Sequence, residues 1–77
     1  TMNKEFERSI QDITNLLHRG DVKRIAERAG CSQPTVTYVL KHAKEPEKLT
    51  EMQLNAYKAA KELAAENRAA VAAAIAE

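Results

Sequence analysis

Glycine, proline, cysteine and aromatic residues are all scarce in this chain. Its 77 residues include two glycines, two prolines, one phenylalanine, two tyrosines and no tryptophan. Sheet proteins need turn residues and strand-forming aromatic side chains, so this composition favours an all-α protein. The length predicts one domain over residues 1–77 with a modest hydrophobic core.

Other absences narrow the cellular setting. Cys31 is the only cysteine, so no disulfide can form within the chain and a reducing cytoplasm is expected. No apolar run approaches the length that spans a membrane, and the N-terminus lacks the apolar region of a signal peptide. We therefore expect a cytoplasmic protein, nucleoid-associated in a bacterial cell, with no membrane partner.

Groups that support catalysis are few and scattered. His18 and His42 are single, with no cysteine or carboxylate at metal-ligand spacing beside them. No glycine-rich phosphate loop occurs. Cys31 is an imaginable redox sensor, but a small buried hydrophobe is the commoner role for such a cysteine. The sequence predicts no enzyme activity, no catalytic residue, no metal and no cofactor.

Two short amphipathic helices joined by a tight turn are predicted between Asp21 and Ala43. Apolar residues recur at helical spacing in the first: Val22, Ile25, Ala26 and Ala29. Asp21 is its expected N-cap, and Gly30 ends it because glycine tolerates positive φ. Ser32 caps the second helix and Pro34 lies in its first turn. This is a helix-turn-helix over residues 21–43.

The second helix is predicted to run from Gln33 to about His42. Its inward stripe is Val36, Val39, Leu40 and Ala43, with Cys31 beneath it. The outward residues offer groups that suit base edges in the major groove: Gln33, Pro34, Thr37 and Tyr38. An ordinary solvated surface is the alternative, but the correctly phased turn favours DNA binding.

Positive charge is concentrated on this segment, although the net charge is only +1. Residues 1–17 carry two basic and three acidic side chains, residues 18–44 six and two, and residues 45–77 four and six. Basic residues flank the two helices and are candidate phosphate contacts: Arg19, Lys23, Arg24, Lys41 and Lys44. Each could equally be a solvated side chain.

The same segment resembles the lactose-repressor type headpiece, within the lambda-repressor-like class. The resemblance covers about residues 21 to 63. It is carried by Asp21-Val22, Ile25-Ala26, Ala29-Gly30-Cys31-Ser32, Thr35-Val36-Thr37 and Val39-Leu40, and more weakly by Leu49-Thr50, Ala56, Ala59-Ala60 and Glu62-Leu63. It implies base contacts from Gln33, Pro34 and Tyr38. It also implies phosphate contacts from Ser32, Thr35 and Thr37, so both roles stay open for Thr37.

The chain departs from that family at three points. Pro34 offers no side-chain hydrogen bond, so its contact would be apolar, for example with a thymine methyl. Tyr38 stands where the family often has arginine. The family's hinge segment and sugar-binding domain are absent, so no small-molecule effector is implied.

A further helix is predicted before the helix-turn-helix. Its stripe is Phe6, Ile10, Ile13 and Leu17, with Gly20 just past its end. We expect this helix to complete the core.

A long helix is predicted over residues 50–76, after a polar linker over residues 44–49 that contains Pro46. Thr50 and Gln53 have the spacing of a capping box. Such a helix is about 40 Å long, more than so small a core can cover.

This surplus length suggests a homodimer. The first turns are expected to face the chain's own core through Met52, Ala56, Ala60 and Leu63. The candidate dimer residues are Leu63, Asn67, Ala70, Val71, Ala74 and Ile75. The alternative is that the N-terminal helix or solvent covers this stripe.

Two functions follow as hypotheses. The first is a sequence-specific regulator of transcription that binds double-stranded DNA as a homodimer, with the helix over residues 33–42 in the major groove. The second is a protein-interaction module that keeps the helix-turn-helix as a scaffold.

Overall fold

The computed structural model describes residues 4–18, 20–43 and 45–76. Its helices are α1 (Lys4–Leu16), α2 (Asp21–Ala29), α3 (Gln33–His42) and α4 (Glu51–Ala76). No strand occurs in these ranges, so the predicted all-α bundle of four helices with a long C-terminal helix is confirmed. None of the described helices is long and apolar enough to cross a membrane.

α1 buries one face against the rest of the chain. Phe6, Ile10 and Ile13 are buried as predicted, and Leu17, just beyond the helix, packs half-buried against the core. Gly20 does not directly follow α1, which ends at Leu16, but stands immediately before α2 with φ of 91°. Such a φ favours glycine over residues that carry a Cβ.

α4 is the helix against which the other three helices pack. The most completely buried side chains are Ile25 of α2 and Val36 and Val39 of α3. They meet the apolar face of α4, whose buried residues are Ala56, Ala59, Ala60, Leu63 and Ala64. Alanine at four of these five positions lets neighbouring helices approach α4 closely.

The start of α4 is fixed by the predicted capping box. The backbone N–H of Gln53 donates to Thr50 Oγ1 at 3.2 Å, and the N–H of Thr50 donates to Gln53 Oε1 at 3.0 Å. Two backbone donors that lack helical partners are thereby satisfied. The predicted linker before it contains one 3-10 turn, Pro46–Lys48.

The two ends of α4 lie outside the core. Met52 is 50% exposed, so the prediction that it faces the core is wrong; it lies in the first turn, before the helix reaches the core at Ala56. All of residues 68–76 are exposed. The helix is about 39 Å long, close to the 42 Å longest extent of the molecule.

Candidate nucleic-acid interface

The turn between α2 and α3 has the predicted geometry. Gly30 ends α2 in the left-handed conformation, with φ of 71° and ψ of 34°, and its N–H donates to the Ala26 carbonyl. The N–H of Cys31 donates to the same carbonyl at 3.0 Å. Ser32 is extended, with φ of −82° and ψ of 157°, and α3 begins at the next residue. Three residues, Gly30 to Ser32, therefore connect α2 to α3, which packs on the core.

α3 separates its side chains into two faces. Val36 and Val39 are buried, and Leu40 and Ala43 are half-buried, as predicted for the inward stripe. Three of the predicted base-contact residues, Gln33, Pro34 and Tyr38, are exposed to solvent. The fourth, Thr37, lies beside them and is half-buried. These four border one shallow depression, together with His42. The predicted base-contact residues therefore form one continuous surface.

His42 belongs to this surface, although it was not among the predicted base-contact residues. The centres of its ring and the Tyr38 ring are 5.7 Å apart, with the planes tilted by 40°. The spacing of four residues between two aromatic side chains on one helix was a usable signal. The pair gives the C-terminal half of α3 an aromatic edge beside the exposed Lys41.

The predicted basic phosphate contacts in the described residues lie on α2 and on α3. Lys23 and Arg24 are exposed in the first turns of α2, and Lys41 is exposed near the end of α3. Arg19 and Lys44, the other two predicted phosphate contacts, lie outside the described residues.

The predicted hydroxyl contacts to phosphate are close to one another. Ser32 Oγ and Thr35 Oγ1 are 2.9 Å apart and share a hydrogen bond. Ser32 stands at the predicted N-cap position, but its side chain bonds Thr35 instead of a backbone N–H. Both hydroxyls therefore sit at the N-terminus of α3, where the helix dipole favours an anion.

Asp21 has a different role from the predicted one. It is the first residue of α2, not its N-cap, and no side chain caps the helix at Gly20. Its buried carboxylate turns away, and Oδ2 accepts the N–H of His18 at 2.7 Å and Asn67 Nδ2 at 3.1 Å. The His18 N–H holds the pKa of Asp21 below its ordinary value, against the opposing effect of burial.

An exposed ion pair makes a second connection between α2 and α4. Arg28 Nη1 and Nη2 donate to the two carboxylate oxygens of Glu66 at 2.6 and 3.0 Å. The bond from Arg28 lowers the pKa of Glu66. Such two-point contacts restrict orientation as well as distance. Together with the Asp21 contact, it fixes both ends of α2 relative to α4.

The candidate dimer residues divide into two groups. Leu63 is 3% exposed and packs in the chain's own core. The amide of Asn67 donates to the Leu16 carbonyl at 2.9 Å as well as to Asp21. These two residues therefore have partners within the chain, which corrects their assignment to a surface between copies. Four remain exposed: Ala70, Val71, Ala74 and Ile75.

No group of three or more His, Cys, Asp and Glu side chains in the described ranges is arranged to hold a metal ion. Comparison of the chain with protein-family models, with curated proteins and with solved structures finds no match.

Proposed function

We propose that the chain is a sequence-specific DNA-binding regulator of transcription that inserts α3 into the major groove of duplex DNA. The observation that carries the proposal is the outer face of α3. It presents an amide, a phenol, an imidazole and an ammonium group on one short helix that follows a three-residue turn. A helix fits the major groove, and these groups suit base edges and phosphates.

Specificity is assigned to side chains on the outer face of α3. Gln33 can donate to and accept from adenine through its amide, and Tyr38, one turn further, carries a hydroxyl for a second base. Pro34 can contact a thymine methyl. Thr37, between them, is half-buried and can reach either a base edge or a phosphate.

Orientation on the duplex is assigned to phosphate contacts. Lys23 and Arg24 on α2 and Lys41 on α3 supply positive charge, and the Ser32 and Thr35 hydroxyls supply short hydrogen bonds. Such contacts give affinity without sequence preference. The proposal keeps Arg19 and Lys44 in the same role.

The regulator is proposed to act as a homodimer in the cytoplasm. Two copies related by a two-fold axis bind two half-sites spaced by about one helical turn of DNA. The exposed apolar side chains at the end of α4 support an assembled form, since water-exposed Val71 and Ile75 gain from burial.

A selection from random duplexes tests this function. We expect an enriched palindromic sequence whose affinity falls steeply between two salt concentrations, because bound phosphates release counterions. The control is a duplex of the same composition in scrambled order. If no sequence is enriched and binding does not depend on salt, the DNA proposal is rejected.

The same exposed apolar end of α4 favours one second candidate. In a protein-interaction module, this surface would bind a protein through apolar burial, and α2 and α3 would serve only as scaffold. Substitutions on the outer face of α3 would then leave all binding unchanged.

A further inference from the structure

A second surface with its own chemistry lies between α1 and α4. There the two helices form an open groove of about 580 Å³. Its floor is apolar: Ile13, Leu16, Ala64, Ala65, Ala69 and Ala72. α2 and α3 contribute no lining residue, so this surface is distinct from the outer face of α3.

The groove continues onto the exposed end of α4. Val71 follows Ala64 by seven residues and Ile75 follows Arg68 by seven, a spacing of two helical turns that keeps each pair on one side of the helix. Val71 is 49% exposed and Ile75 is 80% exposed. Val71 and Ile75 therefore lie on the sides of α4 that carry two groove-lining residues, Ala64 and Arg68, and the floor and these two side chains are treated together as one strip.

We propose that this strip is the homodimer interface, covered by the same strip of a second copy related by a two-fold axis that runs along the groove. The inference rests on the proposed function, since a regulator of two half-sites needs two copies. It differs from a contact between the ends of α4 alone because α1 contributes half of the residues that line the groove.

The charges on the two rims fit a second copy of this chain. The α1 rim carries Glu5 and Asp12 with Arg8 between them, whereas the α4 rim carries only Lys61 and Arg68. A two-fold axis along the groove places each α1 opposite the other copy's α4. Acidic and basic rims then meet twice, with Asp12 facing Lys61 across the interface. Neither residue forms an ion pair within the described part of the chain.

The area that a dimer must bury favours the same arrangement. A stable interface buries about 800 Å² on each partner. Residues 69–76 form only about 12 Å of helix, which is too short to supply that area by itself. The groove adds side chains of α1 and of the middle of α4 to this contact.

Charge reversal in two separate variants tests the interface. Sedimentation of the full chain without DNA is expected to show a dimer. D12K and K61D each place like charges opposite each other twice and should raise the dissociation constant at least about tenfold. A mixture of the two variants should form a heterodimer of restored affinity, because opposite charges then meet at both positions. A monomeric wild-type chain, or a mixture no tighter than either variant alone, would overturn the inference.

A matched pair of variants on α4 locates the surface. Ala72 lines the groove and Ala73 does not, yet both are exposed alanines in the same turn. A72E should dissociate the dimer, whereas A73E should change its dissociation constant by less than about twofold. Equal effects of the two substitutions would contradict the assignment.

These measurements separate the inference from the proposed function. A dimer that responds to D12K and K61D supports the interface even if the duplex selection enriches nothing. A monomer that binds an enriched half-site rejects the interface and leaves the DNA proposal standing.

Discussion

The outer face of α3 and the end of α4 are both exposed helical surfaces, but their chemistry is opposite. α3 offers Gln33, Tyr38, Lys41 and His42 to solvent, whereas residues 69–76 of α4 are all apolar. The polar face is at no disadvantage in water and has hydrogen bonds to offer a polar partner. The apolar end gains from being covered. We therefore expect the exposed face of α3 to bind a polar partner and the exposed end of α4 to be covered by an apolar one.

The sharpest contrast is expected between two side chains on α4. Leu63→Ala should lower the free energy of unfolding by about 2–5 kcal/mol, because it leaves a cavity in the core. Ile75→Ala should change it by less than about 0.5 kcal/mol, because this residue is 80% exposed in the monomer. Urea denaturation at a concentration where the chain is monomeric measures both. A large loss for Ile75→Ala would place the end of α4 in the folded core.

Gln33→Ala tests the outer face of α3. If Gln33 makes a bidentate contact with adenine, the substitution should remove about 1–3 kcal/mol of preference at one base pair. Titration of the selected duplex and of single-base variants measures the effect. Gln53→Ala, which changes the same residue type at the start of α4, should leave the base preference unaltered. A loss that is uniform over all duplexes would reduce Gln33 to a positioning residue.

Asp21 connects α2 to α4, since its carboxylate accepts a hydrogen bond from the Asn67 amide. Its pKa is lowered in the folded chain, chiefly by the N–H of His18. The carboxylate therefore contributes stability above the unfolded-state pKa of about 3.9, and this contribution is lost as pH falls through the lower folded-state pKa.

Asp21→Asn should destabilise the fold by about 1 kcal/mol at pH 7, because a hydrogen bond to a charged acceptor becomes a neutral one. The difference from wild type should shrink below pH 4, where the wild-type carboxylate also becomes neutral. Denaturation midpoints measured across this pH range test the claim, and Glu27→Gln, on the exposed side of the same helix, is the control. A difference that is constant with pH would show that the charge of Asp21 is unimportant.

The parts of the fold that sequence alone predicted are those fixed by neighbouring residues. Gly30 ends α2, Pro34 lies in the first turn of α3, and Thr50 with Gln53 begins α4; each signal acts within one turn of helix. The apolar stripes of α1 and α3 were predicted for the same reason, because helical periodicity is local.

The contacts that sequence could not predict join distant residues. Asp21 and Asn67 are separated by 46 residues, and Arg28 and Glu66 by 38. Asn67 has the position of a polar residue in an apolar seam, and only the packing of α1 and α2 on α4 shows that its amide is used within the chain. The α1–α4 groove is likewise a product of packing. The roles of Gln33, Tyr38 and the basic residues in DNA binding stay predictions.

Lys23→Ala should have the smallest effect on DNA affinity of the substitutions considered. It nevertheless separates the DNA-binding surface from the dimer surface. Lys23 is assigned to a phosphate, so its loss should weaken every duplex alike and reduce the slope of log affinity against log salt by about one unit. Lys58→Ala, which removes an exposed lysine from α4, should leave the slope unchanged. Binding titrations at four salt concentrations separate the two. Because dimerisation is assigned to the groove, neither substitution should alter sedimentation. If both substitutions reduced the salt slope equally, any exposed lysine would contribute to DNA affinity, and Lys23 would have no specific phosphate contact.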